Sequence, residues 1–171
     1  MEVFEAVRTV LAVRAYQDKP IPEDVVRKIV DSAHLTASSR NGQPWHFIVV
    51  QDKEAVRRIT PLAKTGTYIA EAPLAIVVGY DKESPFGLSD TSRAIQSMVL
   101  TAWSEGVGSN WVGFDGMIDE VGAELGLPEG IQLVGVLPFG YPVKKLGKGK
   151  KNRKPLGEVA HKERYGTPFG G

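Results

Sequence analysis

Cysteine is absent from all 171 residues, which excludes disulfides, thiol catalysis and thiolate-held metals. That absence agrees with a cytoplasmic location. Histidine occurs three times, as His34, His46 and His161, spaced too widely for a local metal motif, so each reads as a packing or surface residue. No apolar run approaches the ~18 residues that a membrane span needs. The first residues, MEVFEAVRTVLAVRAY, place Glu2 and Glu5 before any Lys or Arg, against the order of a signal peptide. A soluble, intracellular chain is therefore expected. The familiar catalytic signatures are missing too. No G-x-G-x-x-G joins a strand to a helix: Gly106-Val-Gly108 lacks the third glycine and follows a helix. GKGKK lacks the Ser or Thr of a phosphate-binding P-loop, and no G-x-S-x-G elbow marks a nucleophile.

What is present suits one domain over residues 1–171, with 42% apolar and 24% charged residues, enough to bury a core. The net charge of +1 is unevenly spread. KKLGKGKKNRK (144–154) carries seven of the 21 basic residues and no acid; outside it, 14 basic residues face 20 acidic ones. Such a run reads as a solvated tail, a phosphate site or a nucleic-acid arm. The acidic body argues against nucleic acid, which needs a basic face elsewhere.

Apolar spacing predicts helices over 2–10, 22–36, 53–60, 89–105 and 117–126. Pro22 reads as the first helical residue of the second, with Glu23 and Asp24 favoured by the helix dipole. HFIVV (46–50) and APLAIVVGY (72–80) read as strands covered on both faces. GSNWVGF (108–114) reads as a short strand or extended turn, and IQLVGVLPFGYP (131–142) as the last strong strand. Residues 143–171 form a basic, Gly-rich extension with little to make a core. The mixed order is α+β, without clean βαβ alternation. Between helix and strand lies ASSRNGQPWHF (37–47). By itself it is either a plain connection or a cradle of N–H groups and hydroxyls for an anion.

Four stretches together resemble the nitroreductase family of FMN-dependent oxidoreductases. VRAYQDKPIP (13–22) is similar to that family's Arg-x-Phe-x-x-x-Pro-Val, and ASSRNGQPWHF to its Pro-Ser-x-x-Asn-x-Gln-Pro-Trp. GVGSNWVGF (106–114) is similar to its Gly-Leu-Gly-x-x-Trp-Ile-Gly, and KNRKPLGEVAH (151–161) to its Arg-Lys-Pro-Leu-x-x-Val-Val-His. They follow the family order over nearly the whole chain.

The resemblance implies a central mixed, mostly antiparallel sheet flanked by helices, with the C-terminal extension exchanged across a homodimer. It implies FMN at the subunit interface and NADH or NADPH as donor. Electrons would pass in two alternating steps, to flavin N5 and then to a nitroaromatic, quinone or similar small acceptor. Ala37, Ser38, Ser39 and Asn41 would hold FMN of the partner subunit. Arg14, Lys151 and Arg153 would meet its phosphate and ribityl chain, where opposite charge and forked donors suit the ligand. Trp111, Val112 and Gly113 would run along the ring, their backbone N–H groups near N5. No side chain is then required as nucleophile or base, and no metal, nucleic acid or membrane takes part.

The chain also departs from the pattern. Where the family has Arg-Arg-Ser, it has Val10, Leu11 and Ala12, so side-chain contacts to FMN are lost there, with Arg8 one turn earlier as a substitute. Only DKESPFGLS separates the second strand from the long helix, leaving a small cover over the flavin. Two other readings stay open. One is a flavin-dependent oxidase or dehalogenase for one dedicated small molecule; the other is a non-catalytic flavin- or nucleic-acid-binding module using the basic tail.

Overall fold

The structure, a computed structural model, describes residues 1–63, 65–114, 117–144 and 151–169. Its centre is the strand β2 (Leu74–Asp81), whose first six residues are all buried. On one side β2 pairs with β1 (Trp45–Val50) and on the other with β4 (Ile131–Gly140), both antiparallel. The short β3 (Gly108–Ser109) adds to β4, giving the order β1-β2-β4-β3. Among the described residues all three ladders are antiparallel, and the parallel pairing is a single bridge, Ala12 to Ser109.

Alternation along β2 divides the core, as successive side chains must point to opposite faces. Leu74, Ile76 and Val78 pack with Ile29, Ala94, Ile95 and Met98, which come from α2 (Glu23–His34) and α4 (Gly87–Ser104). Ala75 and Val77 pack with Val56, Ile59 and Val121, from α3 (Lys53–Ile59) and α5 (Ile118–Leu125). The sheet is thus covered on both faces, and the fold is α+β.

Three expectations are corrected at the margins. β1 is an edge strand, not one covered on both faces: His46 and Val49 are exposed, because an apolar run alone does not reveal which strand lacks a neighbour. Pro22 caps α2 rather than opening it, and Leu35 lies just past its end, outside the core. In α1 (Val3–Thr9), Ala6 and Thr9 face the core while Val3, Phe4 and Val7 are exposed, Phe4 at 77%. The apolar stripe of α1 is therefore left uncovered by its own chain.

The described part of the C-terminal segment includes a short helix, α6 (Leu156–Val159), with Leu156, Val159, Tyr165 and Phe169 exposed. Lys144 is exposed as expected of a solvated charge, while Lys145 and Lys148 lie outside the described residues. Among the described residues no helix is long and apolar enough to cross a membrane.

Candidate functional site

After α1 the chain turns extended and runs beside β3. Val13 donates its N–H to the Ser109 carbonyl at 2.9 Å. Trp103 Nε1 ties α1 to α4 by donating to Thr9 Oγ1 at 2.9 Å, while Thr9 Oγ1 donates within its own helix to the Glu5 carbonyl at 2.7 Å. Close approach at β3 requires glycine, since a Cβ on Gly108 would stand 2.3 Å from a Val13 methyl. Further along, buried Tyr16 donates its hydroxyl to the Val13 carbonyl at 2.7 Å, and burial holds that phenol far above its ordinary value.

This packing leaves a cavity of about 330 Å³. Val10, Leu11 and Ala12 form one wall, and Ile95, Gln96 and Val99 of α4 another. Ser109, Asn110 and Trp111 supply the third side, and Lys151 and Arg153 stand at the rim. Apolar side chains share the walls with Gln96, Ser109 and Asn110, and the cavity also has two cations. Lys151 Nζ donates to the Val7 carbonyl at 2.5 Å, so a cation caps the C-terminal turn of α1, where the helix dipole favours it. Desolvation first, and then the neighbouring Arg153 charge, hold the Lys151 ammonium below the ordinary lysine value. An added anion would relieve the second of these.

The indole of Trp111 is 45% exposed and passes over Gly135, where a Cβ would meet the Val112 carbonyl at 2.5 Å and Trp111 Nε1 at 2.8 Å. Beneath it Val112 is buried, and its backbone is fully engaged. Val112 N–H donates to the Val136 carbonyl at 3.0 Å, and Val136 N–H returns the bond at 2.8 Å. Val112 thus anchors the segment, its N–H spent on the Val136 carbonyl. Asn110, half-buried, donates its amide to the Tyr68 hydroxyl.

The structure brings Trp111, Lys151 and Arg153 to one cavity, with Gly113 exposed just beyond Val112. It does not bring Arg14 there. Arg14 lines an adjoining, mostly apolar cavity of about 290 Å³ with Val143 and Lys144; Ala12 is common to both. Arg8 does not line this cavity; its guanidinium pairs with Glu5 on the exposed side of α1 through bonds of 2.8 and 2.9 Å. Ala37, Ser38, Ser39 and Asn41 lie elsewhere on the chain, at the start of α4, where Ser39 bonds Asp90. Sequence reasoning missed Gln96, Ser109 and Asn110. The last two sit inside the GSNWVGF stretch already singled out; nothing in the pattern of α4 marks Gln96.

Comparison with known proteins decides what this arrangement belongs to. Residues 2–169 match the profile of the family described as "Putative TM nitroreductase". The chain belongs to the nitroreductase family. A relative in Methanothermobacter thermautotrophicus, named "Putative NADH dehydrogenase/NAD(P)H nitroreductase", is 34% identical over 86% of this chain and 81% of its own length. A crystal structure under the same name from Parabacteroides distasonis superposes with a TM-score of 0.85 at 31% identity, covering 93% of this chain and 96% of that one. An FMN-dependent nitroreductase from Clostridium difficile superposes with a TM-score of 0.87 at 25% identity, covering 95% of this chain and 99% of that one. This nitroreductase-family chain therefore has the family fold over nearly its full length.

Proposed function

We propose that the chain is an FMN-dependent NAD(P)H oxidoreductase whose site is completed by a second copy of itself. The observation that carries this reading is the cavity: an apolar slot beside Trp111, with two cations at its rim and carboxamides at its side. That donor set fits a flat, largely apolar ring system joined to an anionic group. The names of the relatives supply the same cofactor and donor.

In this reading Lys151 and Arg153 bind the phosphate, with Arg14 reached across Ala12. Val10, Leu11, Ile95 and Val99 exclude water from one side of the ring. Gln96 and Asn110 offer hydrogen bonds to its polar edges, and the N–H groups of Trp111 and Gly113, rather than that of Val112, are the ones available near the reacting nitrogen. The chemistry supplied by bound FMN is two-electron transfer, from NAD(P)H in one half-reaction and to a nitroaromatic, quinone or similar acceptor in the other.

The requirement for two copies rests on two features. The loop 37–43 does not line the cavity of its own chain, and the exposed Val3, Phe4 and Val7 of α1 border that cavity through Val7. A homodimer would bury the stripe and bring the partner's loop over the site, with the C-terminal segment crossing to the other subunit. Sedimentation followed at the flavin absorption band tests this. Flavin moving with a dimer, two per dimer, is the expected result; flavin moving with a monomer contradicts it. A survey of quinones and nitroaromatics with either nicotinamide then separates a general reductase from an enzyme dedicated to one small molecule.

A further inference from the structure

The loop 38–43 contains a concentration of unusual backbone. Arg40, Asn41 and Gln43 have φ of 54°, 55° and 48°, left-handed values that residues with a Cβ seldom adopt outside turns. Conformations of this kind persist only where the surroundings over-determine them. Bonds within the loop, Asn41 N–H to the Ser38 carbonyl and Gln43 N–H to Ser38 Oγ, hold the turn, and Asp90, in the first turn of α4 and only 1% exposed, ties it to the body. Ser39 N–H donates to Asp90 Oδ2 at 2.9 Å, and Ser39 Oγ donates to Oδ1 at 3.1 Å. Arg93, one turn on, pairs with the same carboxylate and also reaches Ser39 Oγ at 3.4 Å. A buried carboxylate is costly unless paired and hydrogen-bonded. If the loop moved away, Asp90 would keep its charge partner but lose both donors from Ser39.

We propose that Asp90 is a positioning residue for cofactor binding: through Ser39 and Arg93 it presets the 38–43 loop in the shape that meets the partner subunit's FMN. The proposal rests on the flavin reading above. It also divides the work of the two serines. The Ser39 hydroxyl hydrogen is spent on Asp90, so Ser39 is the anchor. Ser38 Oγ accepts from Gln43 N–H at 3.0 Å and keeps its own hydrogen to donate outward. Asn41 is exposed in the same turn. Ser38 and Asn41 are thus the ligand-facing members and Ser39 the internal one.

The test uses the full chain and FMN, with Asp90→Asn, which keeps the shape but removes the charge, and Arg93→Gln, whose side chain is half-exposed and whose loss leaves Asp90 its two Ser39 donors; circular dichroism confirms that each variant is folded. Flavin fluorescence quenching reads the FMN dissociation constant, and amide hydrogen exchange of residues 39–43 reads the loop. Each variant is expected to raise the dissociation constant about tenfold, the scale of one lost charge-assisted bond, and to speed exchange at Ser39. The double variant should be little worse than either single one, because both act through the same clasp. Faster exchange with unchanged FMN affinity would overturn the positioning role and leave Asp90 a structural cap. Additive losses would overturn the shared path. A wild-type chain that takes up no FMN overturns the flavin reading and this proposal with it, an outcome distinct from wild type and variants binding alike.

Discussion

Removing both rim cations, by Lys151→Ala and Arg153→Ala, isolates what holds the anionic end of the ligand. Two unit charges 4 Å apart attract by about 4 kcal/mol at an effective dielectric near 20. Here the gain is smaller, because Arg153 is exposed and Lys151 already donates to the Val7 carbonyl. The low end of a charge-assisted hydrogen bond, about 1.5 kcal/mol each, is the better scale. The double variant should therefore lose about 3 kcal/mol, roughly a hundredfold in the FMN dissociation constant. Riboflavin, which has the same ring and no phosphate, is the control. Its affinity should be low in the parent chain and nearly unchanged in the double variant. Fluorescence titration of both ligands against both proteins gives the four numbers. If FMN binding survived the double substitution, or if riboflavin lost as much as FMN, the assignment of Lys151 and Arg153 to the phosphate would be wrong.

Four further outcomes follow from the same geometry. Val10→Arg places a guanidinium on the cavity wall, and FMN affinity measured by the same titration should rise about tenfold. Gly135→Ala drives a methyl into the Val112 carbonyl and the Trp111 indole; urea denaturation should show a loss of about 1–3 kcal/mol together with weakened flavin binding. For pH, the folded Lys151 sits below its ordinary value, so it loses its charge earlier than a free lysine as pH rises. FMN affinity should fall through that lowered range on the alkaline side, and Lys151→Arg should remove the fall. Tyr16→Phe leaves the buried Val13 carbonyl without its side-chain donor and should cost about 1–3 kcal/mol by denaturant titration.

Periodicity made the interior legible. β2 and α4 were readable because both are long, and each has many positions buried; α2 was readable from its apolar positions Val26, Ile29 and Ala33. Where a residue's partner lies far along the chain, the pattern was silent. Val3, Phe4 and Val7 looked like a core face, yet they are a face that the chain itself leaves uncovered. The four-residue α6 is too short to show a period. Trp111, Lys151 and Arg153 came through as a group because each sits in a stretch resembling the family. The engaged Val112 N–H was hidden, because it depends on Val136, a strand away. The clasp between Ser39 and Asp90 was equally hidden, spanning 51 positions.

In the proposed reading the cavity holds FMN, which takes electrons from a reduced nicotinamide. A visible spectrum of the purified chain after FMN addition and desalting, followed by NADH or NADPH under argon, tests it most directly. A retained flavin spectrum that bleaches with at least one nicotinamide is the expected result. A desalted protein with no flavin band would contradict it and show that Lys151 and Arg153 do not make up for the missing Arg and Ser at positions 10–12.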